Sequence, residues 1–170
     1  MEFNKVLEAR FSVRDFSSKE VEESKINEIL KSAQIAPTGK NKQCQTIYNL
    51  KSKQAIEKIR AITNNAFNAP LVFITCANLD RECVLTSINK SLKDTDVAIV
   101  QTYMMLTATN LGLGSCWVCR FDPNKVKQEF NLPSNVEPLN LLVVGYPSEN
   151  AEPSPRHFER IDFSEYTTIL

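Results

Sequence analysis

The run Arg10-Phe11-Ser12-Val13-Arg14 alternates polar and apolar side chains. An extended backbone turns successive side chains to opposite sides, so two guanidinium groups and a hydroxyl share one face, and Phe11 and Val13 the other. Paired planar donors beside a short neutral one suit a phosphate. The same alternation also describes an edge strand with one solvated side. A second candidate is Pro37-Thr38-Gly39-Lys40-Asn41-Lys42-Gln43, where the carboxamides of Asn41 and Gln43 stand two residues apart. Each donates and accepts at once, as reading a ring edge of alternating donors and acceptors requires. Asn41 alone is better explained by the turn preference of Asn.

Cys116-Trp117-Val118-Cys119 has the spacing of a redox dithiol. Such a pair works at the N-terminus of a helix, where the first thiolate is stabilised. Here it follows the helix-ending Gly112 and Gly114 and precedes Asp122-Pro123, a helix start, so residues 115–119 are predicted as a strand. In a strand, residues three apart face opposite sides. Zinc is disfavoured too, because only one Cys pair has ligand spacing and the sole histidine, His157, is remote. Cys44, Cys76, Cys83, Cys116 and Cys119 are expected to be free thiols.

These residues need elements to hold them. Phe3, Val6 and Leu7 predict a short helix over residues 2–9. Ile26, Ile29, Leu30, Ala33 and Ala36 recur at helical steps over 22–36, behind acids that suit a helix N-terminus, and Pro37 and Gly39 end the run. Residues 45–50 and 70–76 read as strands, and Ser52 as the cap of a helix carrying Ala55, Ile56, Ile59 and Ile62. Residues 80–93 fit a loop or an exposed helix. No charge falls within residues 97–119, and Val97, Val100, Met104, Ala108 and Leu111 trace one stripe that Ala98, Met105 and Leu106 widen. A helix apolar on most sides belongs in a core or a subunit interface. Gln101, Thr102, Thr107, Thr109 and Asn110, with the glycines beyond, keep it from being a membrane span. Residues 122–130 predict a short helix and 138–147 a central strand.

Alternating helices and strands point to one layered α/β or α+β domain over residues 1–170. After Pro147, two prolines break regular structure, yet Phe158, Ile161, Phe163, Tyr166, Ile169 and Leu170 remain as apolar anchors. Residues 148–170 are therefore expected to form an arm that packs on a partner subunit. Lys plus Arg and Asp plus Glu number 20 each, so no overall field recruits nucleic acid or a membrane surface. The amino terminus lacks the apolar stretch of a secretory signal, which implies a cytoplasmic protein.

Four pieces in order resemble the nitroreductase family of FMN-dependent NAD(P)H oxidoreductases: residues 10–16, residues 36–43, the helix from Asp94 ending in Gly112-Leu113-Gly114-Ser115-Cys116-Trp117, and Gly145-Tyr146-Pro147 followed by Arg156. The resemblance implies an α+β, three-layer fold with a mainly antiparallel sheet, in an intertwined homodimer holding FMN at its interface. Carried over by position, Arg10, Ser12 and Arg156 would hold the FMN phosphate and ribityl chain, Arg14 would face the pyrimidine edge, and Asn41 with Gln43 would hydrogen-bond that edge. The strand through Trp117, Cys119 and Arg120 would pass beside the ring and offer a backbone N–H.

The implied activity is ping-pong transfer of two electrons from NADH or NADPH, through FMN, to an acceptor such as a nitroaromatic or quinone, with no side-chain acid or base. The chain departs from the family at Cys44-Gln45, where Pro-Trp is common, at Cys119 and Arg120, and in the short polar stretch at 80–93. These departures leave open a protein that stores or senses FMN without turnover.

Overall fold

The computed structural model describes residues 1–170. In chain order its elements are α1 (Phe3–Ala9), α2 (Glu23–Ile35), β1 (Gln45–Leu50), α3 (Lys53–Ile62), β2 (Leu71–Asn78), β3 (Val84–Leu85), β4 (Lys90–Ser91), α4 (Lys93–Asn110), β5 (Gly114–Val118), α5 (Pro123–Glu129), β6 (Val136–Gly145) and α6 (Phe163–Tyr166). Four strands form one antiparallel sheet in the order β1-β2-β6-β5, so β6 is central, as expected for the strand over 138–147.

Both faces of the central strands are buried, which is why β2 and β6 read as continuous apolar runs rather than as alternating ones. Leu71 and Phe73 of β2 and Leu142 and Val144 of β6 pack with Ile26, Ile29 and Ala33 of α2 and Val100, Met104 and Ala108 of α4. The intervening Val72, Ile74, Leu141 and Val143 pack with Ile56 and Ile59 of α3 and Val126 of α5. A register shift between Thr75 and Cys76 interrupts the β2–β6 ladder. The helix and antiparallel-sheet content makes the fold α+β.

Local chemistry sets the element ends. Ser52 Oγ accepts the Ala55 N–H at 3.2 Å at the start of α3, and Asp122 Oδ1 accepts the Asn124 and Lys125 N–H groups ahead of Pro123 at the start of α5. Gly112, at φ +76°, lets the Leu113 N–H return to Ala108 O at 2.9 Å, which closes α4 and sends β5 back along it. The stripe predicted for α4 is buried at Val97, Val100, Met104 and Ala108, whereas Thr102, Leu106 and Thr107 are half-buried and Tyr103 is exposed.

Two stretches differ from the simplest expectation. Residues 80–93 are neither loop nor helix alone: a turn at Leu79–Arg81 leads into the small β3–β4 hairpin, closed by Asn89 in the left-handed region. The proline-rich tail contains the one-turn helix α6, where Asp162 and Glu165 form a capping box. Its apolar anchors Phe158, Ile161, Phe163, Tyr166, Ile169 and Leu170 are each at least 63% exposed. No helix is long and apolar enough to cross a membrane.

Candidate functional site

Residues 10–16 run extended beside β5. Ser12 bridges Ser115 in parallel, the Val13 N–H donates to Ser115 O at 2.9 Å, and Phe16 bridges Pro147. Val13 and Phe16 sink into the core, which leaves Arg10, Ser12 and Arg14 at or near the surface. The close approach depends on Gly114, since a Cβ there would stand 2.6 Å from Val13 Cγ2. Beneath this segment, burial pushes the Cys116 thiol pKa up, while the Arg14 charge, a Ser12 hydrogen bond and the Arg10 charge pull it down. The three predicted residues thus stand on one short run held beside β5. Arg14 Nη1 also donates to Ser12 O at 3.3 Å. His157 meets Phe11 edge-on, with ring centroids 6.4 Å apart, so the turn carrying Arg156 lies beside the same segment.

Asn68, which no sequence pattern singled out, pins this run. Its side chain acts as a missing peptide unit: Oδ1 accepts the Phe16 N–H at 2.8 Å, and Nδ2 donates to Phe16 O at 2.7 Å and Asp15 Oδ1 at 3.0 Å. The preceding Phe67 pays in backbone strain, with φ +50° and ψ −145°. Ser148 adds a second clamp, its N–H donating to Asp15 O at 3.1 Å and its hydroxyl to Asp15 Oδ2.

The β5 edge continues the site. Ser115 turns its carbonyl outward to Val13, so strand alternation turns the N–H and C=O of Trp117 the same way, off the sheet. Asn140 fixes the side chains there: its Oδ1 accepts Trp117 Nε1–H at 3.0 Å and lies 3.4 Å from Cys119 Sγ. Cys116 is buried on β5 and Cys119 is exposed just beyond it, and all five thiols are free. The Arg120 carbonyl accepts from Thr63 Oγ1 at 2.8 Å and Asn65 Nδ2 at 3.2 Å. Its exposed side chain borders an open cavity of about 670 Å³ that Thr63, Asn65 and Cys119 also line. Ser115 Oγ is buried on the bridge to Ser12 without a hydrogen-bond partner.

Asn41 and Gln43 do not join this group within one chain. They lie beside β1, on the opposite edge: Gln45 pairs with Ala77 and through it with Glu137, whereas Ser115 pairs with Val144. Three strand spacings across, about 14 Å, and seven residues along, about 23 Å, separate the two. The packed middle of the domain lies between them. Both residues are exposed on a turn in which Gln43 N–H donates to Thr38 Oγ1 at 3.0 Å and Gln43 Nε2 to Asn41 O at 3.3 Å. Asp96, in the first turn of α4, also touches this turn.

The donor set fits FMN. Arg10, Ser12 and Arg14 line the run bridged to β5, a buried hydroxyl without a partner adjoins it, and the outward edge of Trp117 offers a backbone donor, groups of the kind a phosphate and a flavin ring accept. A family model described as "Putative TM nitroreductase" matches residues 2–167. The structure is similar to that of a nitroreductase family protein from Clostridium difficile 630, with TM-score 0.92, 38% identity, and coverage of 99% of this chain and 98% of that one. The chain is also similar to FMN reductase (NADPH) of Bacillus subtilis (strain 168), at 29% identity over 177 residues, 92% of this chain and 70% of that protein. A second relative from that organism, an FMN reductase with NAD(P)H in its name, is 27% identical over 163 residues, 85% of this chain and 66% of that protein. The family match runs through both edges of the sheet and the helix between them, and the chain belongs to the nitroreductase family.

Proposed function

We propose that this protein is an FMN-dependent NAD(P)H oxidoreductase that acts as a homodimer and passes two electrons to an electron-poor small molecule, a nitroaromatic or quinone. The observation that carries this is the run of Arg10, Ser12 and Arg14 held beside the outer edge of β5. The names of the two Bacillus relatives support the cofactor and the donor. When bound, FMN supplies two-electron transfer between a nicotinamide and an acceptor that visit the same place in turn, which is ping-pong chemistry.

The chain's own residues bind and orient. Arg10, Ser12 and Arg156 hold the phosphate and ribityl chain through charge-assisted hydrogen bonds. Arg14 sets a positive charge at the pyrimidine edge, where it favours the more negative, reduced state of the ring. The outward N–H at Trp117 or Cys119 donates to the ring's central edge, with Asn140 holding the adjoining side chains still. Arg120 borders the mouth where donor and acceptor enter. No side-chain acid or base takes part. The carboxamides of Asn41 and Gln43 reach the pyrimidine edge from the second subunit, a reading supported by their separation from the arginines within one chain. The half-buried flank of α4 and the exposed apolar tail, residues 148–170, support the dimer, with the tail lying over the partner.

The test is to incubate purified protein with FMN, remove the excess, and add NADH or NADPH without oxygen. Loss of the oxidised flavin absorbance, restored by a quinone, is the expected result. Protein that retains no flavin overturns the proposal. Retained flavin that neither nicotinamide bleaches means storage or sensing instead.

A further inference from the structure

Three of the chain's left-handed non-glycine residues fall in one loop: Lys40 at φ +50°, Asn41 at +53° and Gln43 at +50°. Such a cluster persists only where its surroundings over-determine it. Those surroundings meet at one side chain. Asp96 is 2% exposed; its Oδ1 accepts the Gly39 N–H at 2.8 Å and its Oδ2 faces Cys44 Sγ at 3.9 Å. Its two oxygens therefore hold the residues on either side of the strained stretch. Gly39 has no space to move inward, because a Cβ there would stand 2.8 Å from Leu92 Cδ1 and 3.0 Å from Cys83 Cβ. The contacts close on themselves: the Leu92 N–H donates to Cys83 O at 2.9 Å, and the Asp96 N–H to Leu92 O at 2.8 Å. Asp96 takes part in no salt bridge. A buried carboxylate without a cation is costly, and what this one secures is the geometry of the loop.

We propose that Asp96 is the positioning residue of the carboxamide loop: from the first turn of α4 it fixes Asn41 and Gln43 in the left-handed geometry that presents their side chains to FMN. This rests on the oxidoreductase function proposed above. Because Asp96 sits on the helix whose other flank is offered to the partner, the same side chain links subunit association to the geometry of the loop.

Wild-type protein, Asp96→Asn, Gly39→Ala and Asp94→Asn are titrated with FMN, and the midpoint potential of bound flavin is measured for each. An amide at position 96 keeps one acceptor and sets an NH2 against either the Gly39 N–H or the Cys44 thiol. FMN affinity is expected to fall roughly tenfold or more, as for a lost charged hydrogen bond, and the flavin potential to shift. Asp94→Asn removes the same charge from an exposed site on the same helical turn and leaves both values unchanged. In an Asn41→Ala/Gln43→Ala background, Asp96→Asn should have no further effect on FMN affinity; an undiminished effect there would mean general destabilisation and overturn the proposal. Should Asp96→Asn fail to fold, Gly39→Ala decides, since it pushes the loop off Leu92 with Asp96 intact: wild-type affinity and potential overturn the proposal, and loss of affinity with a shifted potential supports it. Wild-type protein that binds no FMN overturns the oxidoreductase function itself, whereas wild-type binding matched by Asp96→Asn in affinity and potential overturns only the role of Asp96.

Discussion

Along β5, the candidate site is held by core packing: burial of Val13 and Phe16 and the Ser12–Ser115 bridge hold down the run that carries Arg10, Ser12 and Arg14. At the opposite edge, Asn41 and Gln43 stand on left-handed backbone that no pattern of burial imposes, held through Gly39 and Cys44 by one buried acid. Function and stability therefore point the same way at the first edge and in opposite ways at the second. A change that loosens the arginine run should cost both ligand and stability, whereas a change that relaxes the carboxamide loop should cost ligand and gain stability.

The largest effect is expected at the arginines. Arg10→Ala/Arg14→Ala should weaken FMN binding by roughly a hundredfold or more, from two charge-assisted interactions, with circular dichroism unchanged; quenching of FMN fluorescence measures it. Unchanged affinity would make this run a solvated edge strand. Next comes Asn68→Ala, which leaves the N–H and C=O of buried Phe16 unpaired and should lower stability by about 2 kcal/mol in urea titrations, with weaker FMN binding alongside. Gln43→Gly is the converse case: relief of its left-handed backbone should raise stability by about 1 kcal/mol while FMN affinity falls. If it destabilises, the loop is not strained as described and the contrast fails.

The smallest effect concerns the anchor below the arginine run, where the Ser17 N–H donates to Tyr146 O at 2.8 Å. The Tyr146 hydroxyl, donating to Glu22 Oε2 at 2.7 Å, holds the Glu22 carboxyl down at about 2, below its ordinary value of 4.5. A carboxylate with a depressed folded-state pKa contributes stability above its ordinary value and loses it as pH falls through the folded one. Acid titration of stability from about pH 4.5 to 2 should therefore be flatter for Tyr146→Phe than for wild type, by a modest amount because Glu22 is exposed. Equal slopes would remove Tyr146 from the anchor.

The sequence showed the arginine edge and the helices because both follow periods that one chain segment carries by itself. The stripe of α4, the caps at Ser52 and Asp122, and the opposed thiols of Cys116 and Cys119 came from spacing alone. Asn68, Ser148 and Asn140 were invisible for a physical reason: each acts on a partner 21 to 133 residues away, and nothing in its own neighbourhood marks it. The separation of Asn41 from the arginines was hidden too, because sheet order, not chain order, sets it. Residues 80–93 lacked a period because their hairpin strands are only two residues long.

In the proposed dimer a complete site takes its arginine edge from one chain and its carboxamide loop from the other. Arg10→Ala/Arg14→Ala protein and Asn41→Ala/Gln43→Ala protein, each impaired alone, are mixed under conditions that exchange subunits, and NAD(P)H-driven quinone reduction is measured. A mixed dimer of symmetric subunits then holds one intact site and one doubly defective site, so random exchange should restore activity to about a quarter of the wild-type level. Mixtures no more active than the average of the two separate proteins would contradict the shared site.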